Sequence, residues 1–174
     1  MAGKMSKKTW LIVAILIIAI GAIVGIALSC NSSNPSDDTL SIITWNETSL
    51  SAFEGTPVVL NFWSISCYWC REQLPYLENV AQESEGAIKV IAVNIVDNAA
   101  NVQNFFDDYE PTMIIALDTN REAFADYCLA YNNTRGAIPF TLLVDSEGIV
   151  QYAKIGAFTS ETELWDTLHS VFEL

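Results

Sequence analysis

The chain has 174 residues, of which 51% are hydrophobic, and its 21 carboxylates outweigh eight basic side chains to give a net charge of −13. Three of the basic residues precede residue 10, so the remainder of the chain is more acidic still. Such a surface repels phosphate backbones, which argues against nucleic acid as a partner.

An uncharged apolar segment near the N-terminus predicts attachment to a membrane. It runs from Trp10 to Leu28, and its 19 residues are close to the length that crosses a bilayer as a helix. Lysines precede the segment and almost none follow it, so we expect the N-terminus in the cytoplasm and the rest outside. A buried core helix, the alternative, would show a polar face over five turns.

The end of this segment leaves two forms of anchor open. In "GIALSCNSS" the small Ser29 precedes Cys30, which resembles the lipobox of bacterial lipoproteins, although Ala27 stands where that family prefers leucine. Cys30 is therefore a lipidation candidate, and an uncleaved helix is the alternative. Either anchor places the folded domain on the extracytoplasmic face of a bacterial cytoplasmic membrane. We expect an anchor or signal over residues 1–29, a linker over 30–39 and the domain over 40–174.

The predicted domain alternates strands and helices. Its elements follow in chain order: strand-like pieces at 40–45 and 48–55, a buried strand at 57–63, a helix from about 68 to 85, a buried strand at 87–96, a helix at 99–109, a short strand at 112–118, a helix from about 121 to 131, a hairpin of strands at 140–145 and 149–156, and a helix at 161–172. This order predicts one α/β domain with a mixed sheet flanked by helices.

Two cysteines, Cys67 and Cys70, lie where the first buried strand gives way to a helix. Unpaired N–H groups and the dipole at a helix start stabilise an anion, so a thiolate at position 67 is expected to have a lowered pKa. Cys70, one helical turn later, can reach back to the same sulfur. This geometry suits attack by Cys67 on a partner's disulfide and resolution by Cys70, with the pair itself as a redox-active disulfide and no metal or organic cofactor.

Other uses of the two cysteines fit the sequence less well. Structural zinc usually takes four ligands from two such pairs, and the single histidine, His169, lies near the end of the last helix. A static disulfide would rarely place a helix start and three aromatic residues around its sulfurs. The strand–turn–helix context therefore favours a redox pair.

The segment "VVLNFWSISCYWCREQLPYL" resembles the active-site segment of TlpA/ResA-type thioredoxin-like proteins, which are membrane-tethered thiol–disulfide oxidoreductases. A strand ending in "LNFW" precedes the cysteines, and Pro75 follows the second cysteine by five residues, as in that family. The resemblance extends over about residues 41–172. It implies a thioredoxin fold with TlpA-type N-terminal strands and a central helix–strand insertion.

A second segment, "RGAIPFTLLVDSEGIVQYAKIG", resembles the cis-proline loop and the following hairpin of the same family. The resemblance implies that Pro139 has a cis peptide bond and packs against the cysteines, and that the backbone of Ile138 pairs with an incoming substrate strand. The aromatic residues beside the cysteines would complete the substrate surface: Trp63, Tyr68 and Trp69.

The chain departs from related patterns at three places. Asn61 stands where plain thioredoxins have a buried aspartate, and Gln73 stands where ResA-type members carry a glutamate. The residues between the cysteines, Tyr68 and Trp69, include no histidine of the kind that can stabilise a thiolate in strong oxidants. We therefore expect a moderately to strongly reducing couple.

Three residues on the predicted active-site helix are expected to support the cysteines: Gln73, Pro75 and Arg71. Arg71 could help to hold a thiolate, and an exposed helix arginine is the alternative. Cys128 lies beside Phe124 on a later helix, where a buried and inert thiol is expected; a resolving role is the alternative.

The resemblance implies that the protein delivers electrons to oxidised exported proteins, of which apocytochrome c is the family's best-known client. A membrane electron donor would supply them. Two alternatives remain open. A thiol peroxidase of the same fold would use Cys67, although the Pro-x-x-x-Thr-x-x-Cys arrangement is missing. A copper-delivery protein of related fold would need cysteines spaced by three residues, whereas two separate them here.

Overall fold

The computed structural model describes residues 42–44 and 50–173, which form a six-stranded sheet with helices on both faces. The strands are β1 Ile42–Thr44, β2 Val58–Trp63, β3 Lys89–Asn94, β4 Ile114–Leu117, β5 Phe140–Val144 and β6 Val150–Ile155. The helices are a 3-10 helix at Leu50–Phe53 and four α-helices: α1 Tyr68–Glu83, α2 Ala99–Phe105, α3 Glu122–Ala130 and α4 Glu161–Phe172.

The predicted anchor lies outside this described part, as do Cys30 and the linker. The domain boundaries therefore stay predictions. Among the helices of residues 50–173, none combines the length and the apolar character that crossing a bilayer requires.

The sheet is mixed, as predicted, with strand order β1-β4-β3-β2-β5-β6. The first four strands in this order run parallel to one another, while β5 runs antiparallel to β2 and to β6. Strand β2 is central: Phe62 has Val93 as its partner on one side and Phe140 on the other. The carboxyl end of β2, which leads directly into the cysteines, thus pairs with β3 on one side and β5 on the other.

The sequence of β2, "VVLNFW", is buried along its whole length because both faces of the sheet are covered. Val59 and Trp63 point into a core that includes Leu77 of α1 and Leu164 of α4. Leu60 and Phe62 point to the opposite core, which includes Phe124 of α3. Full burial of each such side chain contributes about 1.5–3 kcal/mol, so the strand before the cysteines is among the most firmly packed parts of the molecule.

The predicted strand-like piece at 48–55 is wrong, because Leu50–Phe53 forms a 3-10 helix. Leu50 and Phe53 are three residues apart, so the 3-10 geometry places both on one side, where they pack against the core. Gly55 then turns the chain with a φ of +90°, and its N–H donates to the carbonyl of Ser146 at 2.8 Å. The apolar spacing reflects this helical contact and not a strand.

The helix predicted over 99–109 ends earlier, at Phe105. The N–H of Phe106 is shared between the carbonyls of Val102, at 3.3 Å, and Gln103, at 3.1 Å, and the chain turns there. This turn lets the rings of Phe105 and Phe106 pack on Trp63, with centroids 5.3 Å and 5.8 Å from it. Tertiary packing at the base of the cysteine loop therefore sets the end of the helix.

Candidate active site

Cys67 and Cys70 form a disulfide at the start of α1, with an S–S distance of 2.10 Å. Cys67 is the N-cap residue, and its Sγ accepts a hydrogen bond of 3.1 Å from the backbone N–H of Cys70. Cys70 is only 1% exposed, whereas Cys67 is half-buried. An incoming sulfur can therefore reach Cys67 first, and a negative charge on Cys67 would face a backbone donor and the helix dipole.

The Ile138–Pro139 peptide bond is cis, which confirms the predicted conformation. The carbonyl oxygen of Ile138 lies 3.7 Å from Sγ of Cys67. A disulfide sulfur has no proton to donate, so this is a contact in the oxidised protein, while a Cys67 thiol could donate there. Pro139 is buried, and its carbonyl accepts a 2.9 Å hydrogen bond from the N–H of Gly156. The loop before β5 thus borders the exposed sulfur.

Two aromatic side chains stand beside the cysteines on the surface. Tyr68 is 55% exposed and Trp69 is 63% exposed, and their rings meet edge to face at 5.1 Å. Trp63, expected on the same substrate surface, is instead fully buried, because its indole packs into the core beneath the site. Within residues 50–173 its Nε1 has no hydrogen-bond partner. Tyr68 and Trp69 are thus available to a client, while Trp63 is not.

A neutral hydrogen-bond network joins the cysteine-bearing helix to the sheet. Oγ1 of Thr141 accepts from Nδ2 of Asn61 at 2.9 Å and from Nε2 of Gln73 at 3.2 Å. Oε1 of Gln73 accepts from the backbone N–H of Phe158 at 2.8 Å. All four residues are buried. The network links β2, β5, α1 and the loop before α4, and it contains no group that titrates near neutral pH.

The other predicted supporting residues are more exposed. Pro75 lies inside α1, where its ring removes the hydrogen bond that the carbonyl of Arg71 would otherwise accept. Arg71 is exposed and forms no ion pair with any residue that the structure describes. A role in holding a thiolate therefore has no contact to support it here.

Cys128 is a buried thiol on α3, as expected. Burial raises the pKa of the Cys128 thiol, and this effect outweighs the opposing influence of the Arg121 charge and of a hydrogen bond with Asn133. A raised pKa disfavours the reactive thiolate.

Sequence reasoning missed two supporting residues. Oδ2 of Asp97 accepts a 2.9 Å hydrogen bond from the N–H of Ile65 and another of 2.9 Å from Nδ2 of Asn94, which fixes the loop leading to Cys67. Nothing in the local sequence marks Asp97. Thr141 was detectable, because it is the one polar residue in the buried run "FTLLV". In residues 50–173 no cluster of three or more histidine, cysteine or acidic side chains is arranged to hold a metal ion.

The fold and the cysteine pair at the helix start define a thiol–disulfide oxidoreductase with a thioredoxin-like fold. Residues 39–168 match the Redoxin family, and the chain belongs to that family. It is also similar to proteins described as thiol-disulfide oxidoreductase ResA.

Two relatives and one solved structure illustrate the similarity. The thioredoxin-like protein YneN of Bacillus subtilis is 29% identical over 128 residues, which cover 72% of this chain and 71% of YneN. The thiol-disulfide oxidoreductase ResA of Bacillus subtilis is 31% identical over 112 residues, which cover 63% of this chain and 59% of ResA. The crystal structure of StoA from Bacillus subtilis superimposes with a TM-score of 0.53 at 25% identity, covering 65% of this chain and 84% of StoA.

Proposed function

We propose that this oxidoreductase reduces disulfides of exported protein clients at the extracytoplasmic face of a bacterial cytoplasmic membrane. The observation that carries the proposal is the unequal exposure of the two sulfurs, since Cys70 is 1% exposed while Cys67 is half-buried at the helix start. A client can form a mixed disulfide with Cys67 while Cys70 waits behind it. The apolar segment Trp10–Leu28 supports the location.

The reaction begins with both cysteines reduced. The Cys67 thiolate attacks one sulfur of the client disulfide, the client S–S bond breaks, and a mixed disulfide forms while the first client sulfur leaves as a thiolate and takes up a proton. Cys70 then loses its proton and attacks Sγ of Cys67, which releases the second client sulfur as a thiolate that takes up a proton from water. The client gains two electrons and two protons, and the Cys67–Cys70 disulfide seen in the structure is the product.

The surroundings of the two sulfurs suit these steps. The backbone N–H of Cys70 donates to Sγ of Cys67 at 3.1 Å and would stabilise the attacking thiolate. The network of Asn61, Thr141 and Gln73 contains no carboxylate, so it offers no base for the proton of Cys70. We propose that the first client thiolate, released when the mixed disulfide forms, accepts that proton.

The residues between the cysteines support electron flow from this protein to its clients. Tyr68 and Trp69 provide no cation to stabilise the thiolate form, which favours a reducing couple over a strongly oxidising one. A reductant outside the cytoplasm must be regenerated, so a membrane electron donor that reduces the Cys67–Cys70 disulfide belongs to the proposal. Apocytochrome c, whose CxxCH pair must be reduced before haem attachment, is the client that we propose from the resemblance to TlpA/ResA-type proteins.

Trapping with Cys70→Ser tests this function. Without the resolving thiol, Cys67 should retain clients as mixed disulfides that survive non-reducing electrophoresis and can be identified by mass spectrometry. The double variant Cys67→Ser/Cys70→Ser is the matched control and should retain none. If the trap stays empty while Cys67 still reacts with iodoacetamide, the protein does not reduce protein clients.

A further inference from the structure

We propose that Asn133 is a positioning residue that holds the Ile138 backbone beside Cys67 for docking of a client strand. This inference rests on the proposed function, because it concerns how a protein disulfide is presented to Cys67. Asn133 lies in the loop between α3 and β5, and it is 2% exposed.

All four hydrogen-bonding groups of Asn133 are engaged. Its backbone N–H donates to the carbonyl of Cys128 at 2.9 Å, and its carbonyl accepts from the N–H of Gly136 at 2.9 Å. Its side-chain Oδ1 accepts from the N–H of Ala137 at 2.9 Å, and Nδ2 donates to the carbonyl of Ala137 at 2.9 Å. The buried side-chain amide of Asn133 thus hydrogen-bonds to both polar groups of the Ala137 backbone. The backbone N–H of Asn133 links this arrangement, called the bracket below, to the end of α3.

Ala137 directly precedes the residue that borders the reactive sulfur. The carbonyl of Ile138 lies 3.7 Å from Sγ of Cys67. The N–H of Ile138 donates to no other backbone group in the part of the chain that the structure describes. Backbone groups need partners when they lose water. An extended client segment placed over Cys67 can provide both partners, so the orientation of Ile138 decides how well that segment pairs.

Ile138 packs against both cores, but the side of the loop that carries Asn133 borders an open pocket. This pocket has a volume of about 700 Å³ and is lined by Phe124, Cys128, Asn133 and Gly136 among others. Gly136, at a φ of +59°, adds no side chain to fill the pocket. Asn133 therefore joins the loop to α3 through its backbone N–H and braces the loop internally through its side-chain amide.

Asparagine suits this position because it carries an acceptor and a donor on a short stem. Aspartate would keep the acceptor for the Ala137 N–H, but it would lose the donor for the Ala137 carbonyl. Alanine would lose both. Asn133→Asp therefore keeps one of the two side-chain hydrogen bonds to Ala137, and Asn133→Ala keeps neither.

The experiment compares Asn133→Ala and Asn133→Asp with wild type in two assays. One follows reduction of insulin disulfides by dithiothreitol, and the other follows reaction of the reduced protein with the small aryl disulfide DTNB. We expect Asn133→Ala to raise KM for insulin about five- to tenfold, the equivalent of about one net hydrogen bond. Its kcat and its DTNB rate should stay within about twofold of wild type, and Asn133→Asp, which also buries a carboxylate against the Ala137 carbonyl, should raise KM at least as much.

Thr134→Ala is the matched control, because Thr134 is exposed and lies in the same loop. It should leave both assays unchanged. An unchanged KM for insulin in Asn133→Ala, or equal losses with insulin and DTNB, would overturn the inference. If Asn133→Ala does not fold, Asn133→Asp carries the same comparison. If the Cys70→Ser trap stays empty, the proposed function fails, whereas a higher KM for insulin in Asn133→Ala would still support the assignment of Asn133.

Discussion

Oε1 of Gln73 accepts a hydrogen bond of 2.8 Å from the backbone N–H of Phe158, which fixes the cysteine-bearing helix to the loop before the last helix. Gln73 is 0% exposed, and its amide nitrogen donates at the same time to Thr141. An amide can fill both roles at every pH. The buried position of Gln73, one helical turn after Cys70, is thereby kept free of charge.

Replacing this amide with a carboxyl, Gln73→Glu, should destabilise the protein in a pH-dependent way. The carboxylate cannot donate to Thr141, and its burial costs about 1–3 kcal/mol at pH 7. Burial raises the pKa of the new carboxyl above its ordinary value of about 4.3. The loss of stability is therefore complete above the raised pKa of the folded state, and it shrinks as the pH falls and the carboxyl takes up a proton. Urea unfolding at pH 7 and pH 4 measures the difference.

Glu72→Gln is the control for this experiment, since Glu72 is the exposed neighbour on the same helix. It should change the free energy of unfolding by less than about 0.5 kcal/mol at either pH. An equal loss of stability in Gln73→Glu at both pH values would contradict the role given to the buried amide.

Cys128 should react with iodoacetamide much more slowly than Cys67 in the reduced protein. It is 8% exposed, and burial raises the pKa of its thiol, so little thiolate is present at pH 7. Timed labelling followed by mass spectrometry should show Cys67 modified first and Cys128 modified only after addition of urea. Labelling of native Cys128 at the rate of a free thiol would show that it is accessible. Cys128→Ala confirms the peptide assignment.

Glu163→Gln should lower stability at neutral pH but not in strong acid. Glu163 accepts from Lys154 Nζ at 2.8 Å and from the N–H and Oγ1 of Thr159 at 2.7 Å each, and these bonds lower its pKa to about 2. A lowered folded pKa means that the stabilisation is complete above the unfolded pKa of about 4.3. It is lost as the pH falls through about 2.

Solvent screens this site, so the loss in Glu163→Gln should be about 1 kcal/mol or less at pH 7. Thermal unfolding at pH 7 and near pH 2 measures it. Asp166→Asn removes a charge from the exposed side of the same helix and should have little effect at either pH. A deficit in Glu163→Gln that persists undiminished near pH 2 would show that the carboxylate charge is not responsible.

The residue before Cys70 should influence the redox potential. Trp69→His introduces a group that can donate a hydrogen bond to the Cys67 thiolate, so we expect a more oxidising couple. Titration of wild type and variant against glutathione measures the shift, with Tyr68→Phe as a control that adds no donor. A wild-type potential near about −120 mV, at the oxidising end of the scale, would contradict the proposed reducing direction.

The longest apolar patterns of the sequence predicted the structure best. The buried strand at Val58–Trp63 and the helices Tyr68–Glu83 and Glu161–Phe172 lie close to their predicted bounds, since their burial dictates their composition. The 3-10 helix at Leu50–Phe53 was missed because four residues are too few to distinguish a helical spacing from strand alternation. The early end of the helix at Phe105 depends on packing against Trp63, which local sequence does not encode.

In the site, too, residues that belong to a motif were predicted, and residues that depend on distant contacts were not. The cysteine pair and the cis-proline could be placed from their motifs, and Gln73 could be recognised as an unusual residue. Its partners could not, since Thr141 lies 68 residues away in sequence and 80 residues from Asn61. The bracket formed by Asn133 depends on a loop conformation rather than on a pattern. Contacts of this kind become visible only once the sheet order is known.

The contact between Cys67 and Ile138 joins parts of the chain that are 71 residues apart. During synthesis the two thiols are therefore made well before the loop that borders them. A half-made chain carries both thiols without the loop that contacts Cys67 in the finished fold. Until residue 138 has been made and its loop has folded, the two thiols of the nascent chain can form unintended disulfides.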